Sequence, residues 1–126
     1  MALNPVLLWT NSTPGTYSGG TLNISTLNQF THVIIAGWAW GESLTGYFEN
    51  SIKIGASGML FYGGMNSSTA SSAANFINMT FRPVTVNSDN IVLSNGSQVY
   101  NGSAYYNNWP TRCVPVWIWG VTYATN

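Results

Sequence analysis

Charge is what this sequence has least of. Three Lys or Arg and three Asp or Glu make up 5% of 126 residues, and the formal net charge is zero. An ordinary soluble domain carries about 25% charged residues. A nucleic-acid partner needs a basic footprint that displaces counterions, and none exists here. Polybasic attraction to anionic lipid is excluded on the same ground. Cysteine is nearly absent too. Cys113 is alone, so no disulfide forms within the chain, and it reads as a small buried hydrophobe. One His, one Cys and no clustered acids give no basis for a metal site, so no metal and no cofactor are expected. His32 reads as a partly buried structural histidine. The longest apolar run, from Val33 to Gly41, is far short of the roughly 20 residues that span a bilayer, so no membrane insertion is expected. The opening "MALNPVLLW" lacks the basic region of a signal peptide. No segment carries a sustained helical period.

What is present is Asn, Ser, Thr, Gly and aromatic residues, the last at 14%. A surface built from these offers neutral hydrogen-bonding groups and flat rings, the palette of an antibody paratope. Low charge also removes the repulsion that keeps copies apart, so self-association is expected. The length and the 45% hydrophobic content suit one domain with its own core, residues 1–126.

Short β-branched and aromatic runs alternate with Gly, Asn and Ser clusters, which predicts an all-β fold. Strands are expected at Val6–Thr10, Thr21–Ile24, His32–Trp40, Ser51–Ile54, Met59–Tyr62, Phe76–Arg82, Val84–Val86, Ile91–Ser94, Gln98–Tyr100 and Val116–Tyr123. Pro83 cannot donate to a ladder and marks a break, bulge or edge. Asn95-Gly96 predicts a hairpin between the strands on either side. Short strands with frequent turns point to two packed antiparallel sheets, a β-sandwich or jelly roll.

Alternation then assigns faces. Val33, Ile35, Gly37 and Ala39 form an interior face, with His32, Ile34, Ala36, Trp38 and Trp40 opposite. Ile77, Met79 and Phe81 are expected inside, with Asn78, Thr80 and Arg82 outside. Val114, Val116 and Ile118 are expected to share one face, and Trp117, Trp119, Val121 and Tyr123 the other. Both faces of that last strand are apolar, so cover on both sides is expected.

Three stretches, taken in order, resemble one family. They are "LLWTNSTP" with "LNISTLNQFTHVIIAGWAW", then "FINMTFRPVTVNSDNIVLSNG", then "TRCVPVWIWGV". Together they look like the C-terminal receptor-binding head domain of siphophage tail-tip or baseplate proteins, from phages of Gram-positive bacteria. The resemblance runs from Leu7 to Val121. It implies a jelly-roll-like head, a homotrimer, at the end of a longer tail protein. It also implies a virion location at the tail tip or baseplate, other tail or baseplate proteins as neighbours, and binding of host cell-wall or surface polysaccharide. A Trp at position 117 departs from the polar or basic residue frequent there in the family and suggests a more apolar neighbour.

Saccharide binding combines aromatic rings, which stack on the C–H faces of sugars, with neutral amides and carboxylates for the hydroxyls. "NGSAYYNNWPTR" supplies Tyr105, Tyr106, Asn107 and Trp109 in what reads as a loop, although one or two of these rings could equally anchor it. "GWAWGESLTGYF" supplies Trp40 and a loop with Glu42 and Tyr47, with Trp38 read as buried or at a subunit contact. Asp89 is a third candidate, with an Asx turn as the plainer reading. Arg82 and Arg112 read as salt-bridge partners or as contacts for a wall-polymer phosphate. Trp117 and Trp119 are assigned to a subunit interface first, a core second and a sugar platform third. An enzyme is not expected. Glycoside hydrolysis needs two carboxylates roughly 5–10 Å apart, only Glu42, Glu49 and Asp89 exist, and no nucleophile elbow is present. A structural decoration or trimerisation module, or a monomeric lectin, is the alternative.

Overall fold

The computed structural model describes residues 2–17, 19–41, 44–65, 77–100, 104–109 and 112–124. At 2–4, 41, 44, 64–65, 77–78, 100 and 104–109 only the strand backbone is described. Among the described residues ten strands appear in chain order: β1 (Ala2–Thr10), β2 (Gly20–Asn23), β3 (His32–Gly41), β4 (Leu44–Lys53), β5 (Ser57–Met65), β6 (Ile77–Val86), β7 (Asn90–Leu93), β8 (Gly96–Tyr100), β9 (Ala104–Trp109) and β10 (Val114–Tyr123). Two single 3-10 turns, Pro14–Thr16 and Leu27–Gln29, complete the described elements.

The fold is all-β and sandwich-like, with two antiparallel sheets. The first has the order β1-β10-β3-β4. The second holds β2, β5, β6, β7, β8 and β9. In it β5 occupies one edge of β6 along nearly its whole length. The other edge is shared by two strands. Val84–Val86 pair with β7, and Met79–Phe81 pair with β8. β2 then pairs with β7, and β9 with β8. The six strands thus form four ranks, facing the four strands of the first sheet.

This arrangement corrects the hairpin expected at Asn95-Gly96. β7 and β8 do not pair with each other; they run end to end along β6. The partner of Val84 is Leu93 and that of Phe81 is Ser97, so one extra residue is accommodated between the two stretches. Pro83 is the reason. It has no N–H to offer at that point, while its carbonyl still accepts from Ser94 N at 3.0 Å. The break at Pro83 therefore falls in the facing chain, and β6 itself runs through as one strand.

Both sheets bury side chains in one cluster. Val33, Ile35 and Ala39 of β3, Phe48 and Ile52 of β4, Leu60 of β5, Val84 and Val86 of β6, Ile91 and Leu93 of β7 and Ile118 of β10 belong to it. The interior face expected for β3 is the one observed. For β6 the expected faces are reversed. Thr80 and Arg82 are fully buried, whereas Met79 and Phe81 are partly exposed. Alternation carried through Pro83 from the buried Val84 and Val86 requires this.

Polar partners make the reversed burial tolerable. Thr80 Oγ1 lies 3.3 Å from the Tyr62 carbonyl and 3.2 Å from Cys113 Sγ. Arg82 donates from Nε to the Cys113 carbonyl at 2.9 Å, from Nη1 to Ser94 O at 2.7 Å and from Nη2 to Arg112 O at 2.9 Å. Its guanidinium carbon also sits 5.3 Å from the centre of the Tyr17 ring. Burial lowers the Arg82 pKa, opposed by Tyr17 and Cys113. With Arg112 buried as well, neither arginine is presented to a wall-polymer phosphate.

β10 holds a second correction. A register shift between Pro115 and Trp117 inserts Val116. Val114 then pairs with Trp38 and Ile118 with Ile35, so Val114 and Ile118 do not share a face. The bulge presses on β3 at Gly37, where any Cβ would collide with the Val114 carbonyl. Just before it, Cys113 adopts φ 49°, a left-handed conformation that costs a non-glycine residue roughly 1–2 kcal/mol. The Arg82 bonds to the carbonyls of residues 112 and 113 hold this kink. Cys113 is buried, as its reading as a small hydrophobe requires.

Candidate functional site

Strand pairing assembles an aromatic face on the outer side of the four-stranded sheet. Trp38 pairs with Tyr47, Ala36 with Glu49 and with Trp117, and Ile34 with Trp119. Leu7 of β1 pairs with Trp119 from the other side. Paired residues share a face, so rings from β3, β4 and β10 converge. Trp117 and Trp119 are stacked, with centroids 6.3 Å apart and planes 26° apart. Trp38 lies 6.4 Å from Trp117 and 5.9 Å from Tyr47. Tyr47 lies 6.4 Å from Trp117.

The rings are open to solvent. Trp38 is 39% and Tyr47 44% exposed, and Trp117 and Trp119 are half-buried. Trp38 is thus not an interior residue, and on the outer side of β10 the expected cover is partial, with Val114 and Val121 fully buried but Trp117 and Trp119 half-buried. Next to the stacked pair, Pro5, Ile34, Glu49 and Trp119 line an open groove of about 240 Å³. Each comes from a different strand of the sheet.

Among the described residues Glu49 is the carboxylate of this face. It is exposed, and the Tyr47 hydroxyl donates to its Oε2 at 3.4 Å. Desolvation, and then the Glu49 carboxylate, push the Tyr47 pKa up, so the phenol keeps its proton and remains the donor. Around the rim, Ser51 Oγ and the Tyr123 hydroxyl are 3.0 Å apart. His32 is half-buried, with Nδ1 2.8 Å from Thr31 Oγ1 and its ring edge-on to Tyr123 at 4.6 Å. That is the structural role expected of it.

Of the other candidates, Trp40 shares this face, two residues beyond Trp38 and paired with Thr45, and Asp89 does not. Residues 104–109, read as loop, form strand β9 at an edge of the second sheet, where Tyr105 pairs with Val99, Tyr106 with Gln98 and Trp109 with Gly96. The side chains of Tyr105, Tyr106, Asn107 and Trp109 lie outside the described residues, as does Glu42 altogether. Trp40 is half-buried near the end of β3. Asp89 is exposed in the turn from β6 to β7, which Asn87 N closes onto Asn90 O at 2.8 Å. That turn lies beyond Val86, which bonds Gly55 and Ala56 near the His32 end of β3. Trp40 and Asp89 therefore sit toward opposite ends of a ten-residue strand, roughly 25 Å apart at about 3.3 Å per residue.

In sequence "GESLTGYFE" reads as a loop, which puts Tyr47 in a loop with Glu42 and hides Glu49 as a saccharide-site residue. A signal was available. Thr45, Tyr47, Glu49, Ser51 and Lys53 alternate with Gly46, Phe48, Asn50 and Ile52, the period of a strand. The inward set includes a glycine and an amide, which hides it. In the fold the Tyr62 ring occupies the space where a Cβ of Gly46 would lie, and Asn50 Oδ1 accepts from Phe61 N at 3.1 Å.

Among the described residues no group of three or more His, Cys, Asp or Glu is placed to hold a metal ion. No protein-family model, no curated protein and no solved structure matches this chain.

Proposed function

We infer that this chain is an adhesion module, the receptor-binding head of a phage tail protein, which binds host cell-envelope saccharide without altering it. The observation that carries the reading is a solvent-facing aromatic face on a protein with almost no charge. Trp38, Tyr47, Trp117 and Trp119 present rings, and the surrounding surface offers hydroxyls and amides. Rings with neutral hydrogen-bonding groups are the chemistry that recognises sugar C–H faces and hydroxyls. Binding without turnover is supported by the carboxylates. Among the described residues they are Glu49, on β4 of one sheet, and Asp89, in the turn between two strands of the other.

The finer parts of the reading are a jelly-roll path and a homotrimer. The two four-rank sheets are compatible with the first. For the second, the outer face of the six-stranded sheet offers Met59, Phe61 and Val92, all exposed, on strands whose outward positions carry no charge. Avidity from several equivalent sites would compensate for weak individual sugar contacts.

The test is binding of the intact protein to an array of neutral bacterial surface polysaccharides and neutral tetrasaccharides of glucose, galactose, rhamnose and N-acetylglucosamine. Saturable binding to a subset, with the bound glycan recovered unchanged, is the expected result. No binding to any of them, or release of shortened products, would contradict the reading.

A further inference from the structure

Glu49 decides what the aromatic face is for. A face that closes against a second copy of the chain buries whatever it carries, and an unpaired buried carboxylate costs several kcal/mol. A cation from the partner would have to neutralise it. The chain has three cations, Lys53, Arg82 and Arg112. Arg82 and Arg112 are buried within their own subunit. Lys53 is four residues along β4 from Glu49, at the His32 end of the same face. A second copy fits this face only in an antiparallel register that sets each Lys53 against the other copy's Glu49. The outer face of the other sheet, uncharged and apolar, is the better surface for self-association.

A neutral polyol fits the same groups well. Its hydroxyls donate to a carboxylate, which is acceptor-only and makes the stronger kind of hydrogen bond. The stacked Trp117 and Trp119 set two half-buried indoles side by side on this face. The groove beside them, about 240 Å³ and open on one side, is smaller than the roughly 300–1,000 Å³ of sites that enclose a drug-sized ligand. It seats one ring of a longer chain and leaves its neighbours outside. The net charge of zero favours a neutral glycan over an anionic one.

We propose that the outer face of the four-stranded sheet is the saccharide site, with Trp117 and Trp119 stacking on sugar rings and Glu49 accepting their hydroxyls from the adjoining groove. This rests on the adhesion reading above and assigns its location. It moves Trp117 and Trp119 from a subunit interface to a ligand platform, and it adds Trp38, Tyr47 and Glu49 to the site.

The experiment measures the glycan that gives the strongest array signal against the intact protein and three variants. Trp119→Ala is expected to weaken binding by about tenfold or more, as loss of an aromatic anchor does. Glu49→Gln keeps the shape and is expected to weaken it about fivefold through loss of the charged acceptor. Solution mass is measured on the same samples and is expected to stay at the wild-type value. Normal glycan binding by both variants overturns the proposal while leaving the adhesion reading in place. So does a drop in solution mass for Trp119→Ala, which would make this face a subunit contact. Loss of binding only in Tyr106→Ala with Trp109→Ala moves the site to β9 and also overturns it. If the unmodified protein binds nothing on the array, the adhesion reading itself fails first.

Discussion

Nε of Arg82 donates to the carbonyl oxygen of Cys113 at 2.9 Å, and this bond joins the core of one sheet to the start of the central strand of the other. Cys113 is the kinked residue from which β10 departs, and β10 carries Trp117 and Trp119. The buried guanidinium therefore sets the position of the aromatic face without touching it. Arg82→Met removes the donors and leaves the carbonyls of Ser94, Arg112 and Cys113 without them. The expected loss is about 3–5 kcal/mol, given about 1.5–3 kcal/mol for each hydrogen bond from a charged group and incomplete additivity. Urea unfolding checks it. A change below 1 kcal/mol would remove Arg82 from this role.

The bulge in β10 makes its own prediction. A methyl group at Gly37 would meet the Val114 carbonyl and the Val116 N–H, both backbone groups of β10 with little room to yield. Gly37→Ala should destabilise the fold by about 1–3 kcal/mol, the usual cost of overpacking. Gly15→Ala serves as a comparison, since nothing lies within 4 Å of a Cβ there. Thermal melting should separate the two, with the larger drop at Gly37.

Cys113 predicts a pH dependence. Burial pushes its thiol from 9.0 up to about 11, with Thr80, Arg82 and the Tyr62 backbone opposing. The unfolded chain ionises first, so the folded state holds the proton more tightly. The Cys113 contribution is fully present below pH 9 and is lost as pH rises from 9 to about 11. Burial of the Tyr17 phenol raises its pKa as well, which adds loss in the same direction. Denaturant midpoints should be flat across neutral pH and fall above 9. In the native protein at pH 8 the thiol should resist alkylation, and it should react once urea unfolds the chain. Rapid native labelling would contradict the buried position.

Solution mass follows from the contrast between the two outer faces. Light scattering on a sizing column should give three times 13.7 kDa. Phe61→Asp places a charge on the exposed apolar face of β5 and should shift the protein toward monomer with its β-sheet circular dichroism retained. A monomeric unmodified protein would contradict the trimer, and an unchanged trimer in the variant would clear that face of the contact.

The sequence disclosed some of this and hid the rest for identifiable reasons. β3 was legible because Val33, Ile35 and Ala39 alternate without interruption on an inner strand. β6 was not, because splitting it at Pro83 discarded the one argument, continuity from Val84 and Val86, that places Arg82 inside. Local apolar content favoured Met79 and Phe81, and tertiary hydrogen bonds prevailed over it. Asn95-Gly96 carried a valid turn signal whose outcome depended on a strand distant in sequence. The two tryptophans of β10 were legible as a pair on one face. Their neighbours Tyr47 and Glu49 became visible only when β4 paired with β3 along its full length.

The most direct test is a titration of the isotope-labelled protein with the glycan selected on the array, following the six tryptophan indole N–H signals by nuclear magnetic resonance. Trp9, Trp38, Trp40, Trp109, Trp117 and Trp119 are the six, and single Trp→Phe variants assign their signals. The account predicts saturable shifts at Trp117, Trp119 and Trp38. Shifts confined to Trp109, or none at all, would contradict it.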